Sequence, residues 1–296
     1  MGQCLLKQLL TGEPMKDTAC IRFLQHVMPT LRLQWCGFRK VRKQVCKRVE
    51  RRIKALGLSG FDAYGRYLEH EQGELAVLDG MCRITISRFY RDKGIFEHLR
   101  EAVLPELAEK ARSKGETRLR IWSAGCASGE EPYTLSILWQ MELAAKFPEF
   151  KTVIVATDSH PEMLSRADKA CYRYSSLKEL PKPWLANAFY IDNGRYCLKK
   201  EYQKAVTFLR QDIRNEMPEE QFDIILCRNL VFSYFDDALQ RRVLDKMQKR
   251  LRIGGYLLIG THESLPEEVK GFEPLSRWPG LYRSIKNVSE SERPPM

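Results

Sequence analysis

Between residues 38 and 56 apolar side chains recur every four positions, Val41, Val45, Val49 and Ile53, which is the stripe of an amphipathic helix. Gly57 stands where a C-terminal cap falls. Shorter helical patterns follow: one starts near Ser59 or Asp62 and carries Tyr64, Tyr67 and Leu68, and another covers about 75–84. The pattern then changes character. Short apolar runs at 119–123, 152–157, 205–209, 223–227 and 256–261 read as buried strands, with helical patterns at 94–113, 130–146, 161–169 and 237–251 around and between them. Strands and helices alternating at these lengths predict an α/β fold, a mostly parallel sheet covered on both faces. Residues 186–204 break the rhythm. There Asn193-Gly194 is a tight-hairpin signal flanked by 189–191 and 196–198, which predicts a small β-hairpin insertion. The expected organisation is an extension over 1–35, broken at Pro29 and of unknown role, an all-helical domain over 36–91, an α/β domain over 92–287 and a disordered tail over 288–296.

Composition narrows the class. With 296 residues, 44% hydrophobic and 29% charged, the chain reads as an ordinary soluble protein with one main domain and a smaller one. No apolar run approaches the ~18 residues that span a bilayer, and no secretory signal is visible, so a cytoplasmic protein without membrane insertion is expected. Nine cysteines without a CxxC pair argue against a disulfide framework or a zinc site and predict reduced thiols and no metal. The opening MGQC carries Leu6 where an N-myristoylation pattern needs Ser or Thr. The net charge of +11 is local: thirteen Lys and Arg against Glu13, Asp17 and Glu50 give residues 1–60 a charge of +10 and leave the rest at +1.

Candidate chemistry gathers where strands end. Residues 120–134, RIWSAGCASGEEPYT, read as a strand, a loop with Gly125 and Gly129, and a helix start with Ser128 in the cap region and Pro132 in the first turn. Doubly wound proteins hold nucleotide-like ligands at such turns, beyond the carboxyl ends of the strands. The pair Glu130-Glu131 at the helix start would repel a phosphate, so the pocket suits a ligand with hydroxyl and ammonium groups, such as S-adenosylmethionine. The next strand ends supply Asp158, placed for ribose hydroxyls, Asp212, placed for an adenine amino group, and Asn229, next to the reacting centre. Each alone also reads as a turn cap; four in series point to a cofactor site.

The segments IWSAGCASGEEPYT, ATD at 156–158, FDIILCRN at 222–229, LRIGGYLLIGTHES at 251–264 and RITISRFYRD at 83–92 resemble the chemotaxis-receptor methyltransferase family of the CheR type, over roughly 38–285. The resemblance implies a Rossmann-like S-adenosylmethionine methyltransferase sheet with an N-terminal helical domain, and methylation of glutamate side chains on chemoreceptors. By position it places cofactor contacts on Thr85, Ser87, Arg91, Glu130, Asp158, Asp212, Ile213, Asn229 and Leu230, with Ala124 and Gly125 in the same loop. Arg91 is expected to clamp a carboxylate and Tyr234 to orient the acceptor, making these the candidate catalytic residues. Three departures stand out. NLVFSYFD carries one residue more between Asn229 and Tyr234 than typical members, Asp192-Asn193 stand where some members have an Arg, and residues 1–35 match nothing in the family.

The basic helix, with Arg39, Lys40, Arg42, Lys43, Lys47, Arg48, Arg51, Arg52 and Lys54 among its apolar positions, has three readings. It is a docking face for an acidic protein substrate such as chemoreceptor helices, a nucleic-acid contact, or a solvated face. Nucleic acid is disfavoured, because CRNLVF stands where base-amino methyltransferases carry Asn/Asp-Pro-Pro-aromatic. The expected activity is protein-glutamate O-methylation by a monomer. The alternatives are the same scaffold acting on arginine, a small molecule or RNA, and a non-catalytic S-adenosylmethionine-binding adaptor.

Overall fold

A computed structural model describes residues 15–285. The expected tail and the MGQC segment lie outside the described residues. The chain divides into two compact units, one holding 15–84 with Ser233–Gln240, the other 85–232 with 241–285.

The first unit is helical: Met15–Val27, Arg42–Ala55, Phe61–His70 and Glu74–Cys82 are its main helices. The predicted stripe is the buried face of Arg42–Ala55, where Val45, Cys46, Val49 and Ile53 are buried. Val41 is the half-buried cap residue. The first described helix belongs to this core, since the Phe23 ring lies 5.6 Å from both Phe61 and Tyr64. Residues 15–35 are thus a structural part of the unit. So are Ser233–Gln240, which the sequence placed with the α/β domain: Gln34 N donates to Tyr234 O at 2.8 Å, Asp236 N to Arg32 O at 2.9 Å, and Leu33 bridges Phe235.

Three of the nine bases are used inside this unit. Arg48 donates to the Met81 and Arg83 carbonyls at the end of the helix Glu74–Cys82, and Arg42 to Arg39 O. Arg52 grips Glu74 in a two-pronged pair at 2.9 and 2.7 Å, and the Tyr64 hydroxyl donates to the same carboxylate at 2.7 Å. Arg39, Lys40, Lys43, Lys47, Arg51 and Lys54 remain exposed.

The second unit is built on a seven-stranded sheet. Its strands are β1 (Arg118–Ala124), β2 (Lys151–Asp158), β6 (Val206–Arg210), β7 (Phe222–Cys227), β8 (Leu251–Ile259), β9 (Phe272–Pro274) and β10 (Leu281–Ser284), in the order β6-β2-β1-β7-β8-β10-β9. The first five are parallel, and β10 and β9 close one edge antiparallel. Every residue of β7 is buried, as a strand covered on both faces requires. The chain winds outward from β1 through β2 to β6, then returns to lay β7 on the other side of β1. The loops leaving β1 and β7 therefore sit side by side, at the point where such sheets hold ligands. The helix Glu130–Leu138 is buried nearly all round and runs into a π-helical turn, Trp139–Leu143.

The insertion is a separate three-stranded sheet, β3 (Cys171–Tyr172), β4 (Phe189–Asp192) and β5 (Arg195–Leu198), in the order β3-β5-β4. The hairpin turn has the predicted geometry, with positive φ at both Asn193 (46°) and Gly194 (71°).

Two further sequence expectations change. The helical domain was drawn to Arg91, but residues 85–91 belong with the sheet. Phe89 N donates to Ser176 O, Tyr90 N to Thr134 Oγ1, and the Phe89 ring packs edge-on against Tyr172 and Phe189. The expectation of reduced cysteines also fails in this structure, where Cys20 pairs with Cys46 and Cys171 with Cys197. Each pair is 26 residues apart, so no local motif announces it; helix packing joins the first and the facing register of β3 and β5 the second. Cys36, Cys82, Cys126 and Cys227 are free.

The Arg52 guanidinium, with the Tyr64 hydroxyl, holds the Glu74 carboxyl below its ordinary range although burial opposes this. A depressed folded pKa contributes stability that is full above the unfolded value of ~4.3 and is lost as pH falls through the folded value. Glu74→Gln should therefore destabilise the helical unit by roughly 1–3 kcal/mol near neutral pH, the scale of hydrogen bonds to a charged group, because it neutralises the buried carboxylate that answers half-exposed Arg52 and the Tyr64 hydroxyl. Chemical denaturation from pH 7 down to 3 should show the gap between wild type and variant closing on the acid side. A gap independent of pH would contradict the assignment.

Candidate functional site

The loop between β1 and its helix is shaped by main-chain bonds to the end of β2. Gly125 N and Cys126 N both donate to Thr157 O, at 2.8 and 3.0 Å, and Ala127 N donates to Asp158 Oδ2 at 2.9 Å. His160 N takes the other Asp158 oxygen at 2.8 Å. The loop reaches the helix through left-handed conformations at Gly125 (φ 76°), Ala127 (48°) and Gly129 (86°). Gly129, not Ser128, is the N-cap residue. The Ser128 hydroxyl instead donates to Glu130 Oε1 at 2.8 Å.

The acidic pair divides. Glu130 is only 2% exposed, and burial raises its carboxyl pKa while hydrogen bonds from the Ser128 and Ser87 hydroxyls pull it back. Glu131 points elsewhere, accepting from Ser123 Oγ at 2.7 Å and from Arg228 Nη1 at 3.0 Å. One carboxylate keeps an unpartnered oxygen, the other is paired internally.

Beyond β7, Asn229 adopts φ 54° and its N–H donates to Glu263 Oε2 at 2.9 Å. Leu230 presses on Gly125 so closely that a Cβ there would stand 2.5 Å from Leu230 Cδ2. Beyond β6, Ile213 is buried, and Asp212 receives the Arg214 N–H and guanidinium, with Nε at 2.9 Å and Nη2 at 2.6 Å. Gln211 N donates to Asp158 O at 3.2 Å and so joins the ends of β6 and β2. The segment before the domain supplies half-buried Thr85, Ser87 and Arg91, with Arg91 Nη1 3.4 Å from Ile86 O.

Seven buried side-chain polar atoms lack a partner among the described residues, and five of them follow strand ends of this one sheet. They are Glu130 Oε2, His160 Nδ1, Gln211 Oε1, Arg228 Nε and Asn229 Oδ1. Buried polar groups are nearly always paired, so such a cluster marks where a polar ligand completes the bonding. Three of the five are acceptors, which suits a ligand rich in hydroxyl, amino and ammonium donors, as S-adenosylmethionine is.

All the expected cofactor residues fall within this unit; Tyr234 does not. It lies in the helical unit, where its ring packs on Phe38 with centroids 4.8 Å apart. Sequence reasoning missed Arg228 and Glu263, which hold the Asn229 turn and its surroundings. The signal for Arg228 was available: a charge directly after the buried run IILC needs a partner. Among the described residues no group of His, Cys, Asp or Glu forms a metal cluster, and no helix is long and apolar enough to cross a membrane.

Comparison with known proteins agrees with this geometry. Residues 85–278 match the family described as CheR methyltransferase, SAM binding domain. The chain is 33% identical over 233 residues to a probable chemotaxis protein methyltransferase of Rhizobium etli, covering 76% of this chain and 85% of that protein. It is 33% identical over 205 residues to a chemotaxis protein methyltransferase of Listeria innocua, covering 68% and 75%. An uncharacterized 104.1 kDa protein of Rhodobacter capsulatus is 32% identical over 244 residues, 82% of this chain, which spans 25% of that protein's length. The chain belongs to the CheR methyltransferase family, and residues 85–278 are its S-adenosylmethionine-binding domain.

Proposed function

We propose that the protein O-methylates glutamate side chains of an acidic, chemoreceptor-like protein. The cluster of unpartnered buried acceptors at the strand ends, in a chain of this family, carries the reading. Asp158 takes the ribose hydroxyls with the lone pairs left after its bonds to Ala127 and His160 N–H. Asp212 shares its carboxylate between Arg214 and the adenine amino group, beside Ile213. Glu130 Oε2 and Asn229 Oδ1 accept from the polar donors of the methionyl end. Thr85, Ser87, Ala124, Gly125 and Leu230 shape the walls, and Arg91 clamps a carboxylate by its planar fork.

The bound cofactor supplies a sulfonium methyl group that is already activated. A glutamate acceptor is ionised near neutral pH, so the protein needs no general base. Its residues align the reacting groups and exclude water, and proximity supplies most of the rate. The exposed bases Arg39, Lys40, Lys43, Lys47, Arg51 and Lys54 dock the acidic substrate. We place the monomer in the cytoplasm.

Three outcomes test this. Incubation with methyl-labelled S-adenosylmethionine and a Glu-rich receptor helix should give label that is released as methanol by mild base. Base-stable label would transfer the activity to an arginine, small-molecule or RNA acceptor, and no label would favour an adaptor. Gly125→Ala should weaken S-adenosylmethionine binding in calorimetry by about tenfold or more, ~1.4 kcal/mol, because the added methyl displaces Leu230. Unchanged affinity would remove this loop from the site. Changing Lys43, Lys47, Arg51 and Lys54 to Glu should lower kcat/KM for the receptor helix on the order of tenfold at low salt. The loss should fade at high salt while cofactor affinity stays constant. Normal low-salt kinetics would leave these bases as a solvated face.

A further inference from the structure

Arg228 carries a charge in a place where charge is costly. Its side chain is 4% exposed, it follows a fully buried strand, and its guanidinium face lies 5.4 Å over the Phe96 ring. Such a group persists only when most of its donors are answered, and here both terminal nitrogens are, while Nε has no partner among the described residues. Nη1 donates to Glu131 Oε2 at 3.0 Å; Nη2 donates to Asp92 Oδ2 at 2.5 Å and to the Arg91 carbonyl at 2.9 Å. One fork thus ties together the β7 loop, the start of the helix after β1 and the 90–92 segment.

The backbone at both ends of this tie is held in unfavourable conformations. Tyr90 (φ 58°), Asp92 (61°) and Asn229 (54°) are left-handed without being glycine. Such residues persist where their surroundings over-determine them. Arg91 lies between two of them, and among the described residues the one hydrogen bond of its own guanidinium is the 3.4 Å contact to Ile86 O. The direction of the Arg91 side chain is therefore set mainly by its main chain, which Arg228 holds through the Arg91 carbonyl. The same fork keeps Glu131 paired, so that Glu130 alone offers a carboxylate to the ligand.

We propose that Arg228 is a positioning residue for the methyl-donor site. It fixes the 90–92 segment so that Arg91 faces the cofactor. This rests on the assignment of Arg91 as a carboxylate clamp, and the test separates the two. A lysine keeps the charge but cannot span three acceptors. In the full chain, Arg228→Lys should raise the calorimetric Kd for S-adenosylmethionine at least tenfold while unfolding remains cooperative. Arg91→Ala alone should do the same. In the Arg91→Ala background, adding Arg228→Lys should change the Kd by less than twofold, because both act through one group. A multiplicative loss in the double variant would overturn the positioning role and leave Arg91 as assigned. A silent Arg91→Ala would overturn the clamp assignment and the proposal with it. If Arg228→Lys does not fold, Asp92→Asn removes the more exposed anchor and leaves Arg228 paired with Glu131. It should raise the Kd about threefold, again without further effect on Arg91→Ala. An unchanged Kd in Asp92→Asn, or an added loss on Arg91→Ala, would count against the proposal.

Discussion

The Thr157 carbonyl accepts two consecutive main-chain N–H groups, those of Gly125 and Cys126, and the route of the chain beyond β1 follows from that fork. Two donors converging on one oxygen end the parallel ladder, since β1 can no longer run alongside β2. The chain must lift and turn at once, and it does so through left-handed residues at 125, 127 and 129. Trp122 fixes the same point from below, its indole N–H donating to Thr157 Oγ1 at 3.0 Å. Asp158, the next residue of β2, then takes the Ala127 N–H. Glu130 is delivered into the buried start of a helix, and Gly125 is left with no room for a side chain against Leu230. The ends of β1, β2 and β7 thus share one construction.

Electrostatics sharpens this picture. A negative charge at a helix N-terminus is favoured by the helix dipole, while burial opposes it; at Glu130 burial prevails and the pKa rises. Two adjacent carboxylates could not both be tolerated in so dry a place. The helix resolves the conflict by geometry, because successive residues point about 100° apart. Glu131 therefore meets Arg228 and Ser123 while Glu130 keeps a bare oxygen. Of the two acids at this helix start, only Glu130 therefore presents an unpaired carboxylate oxygen that would repel a phosphate.

How much the sequence revealed follows from which signals are local. The five parallel strands and their helices were legible because each repeats a pattern over five or more residues. Asn193-Gly194 announced its turn because few other residues accept positive φ at both positions. β3, β9 and β10 have two, three and four residues, too short for any periodicity, and were missed. The strand-end residues Asp158, Asp212 and Asn229 stood out as polar groups closing apolar runs. Nothing local could assign Ser233–Gln240 to the helical unit, pair cysteines 26 residues apart, or show that Asp212 is held by Arg214. Those facts depend on where the chain returns.

The basic helix shows why counting charges overstates a surface. Arg42, Arg48 and Arg52 face inward to carbonyls and Glu74, so the exposed face carries fewer bases than the nine in the sequence. What remains is more ordered than the count suggested. Lys43, Lys47, Arg51 and Lys54 follow at spacings of four, four and three residues, one stripe opposite the buried Val45, Val49 and Ile53. Like charges at these spacings cost a few tenths of a kcal/mol per pair, and Glu50, the one acid in the helix, relieves only Lys47 and Lys54. Solubility would be served as well by bases scattered among acids. A stripe that repels itself gains most from a surface that neutralises it, and an acidic helix laid along it would do so at every turn.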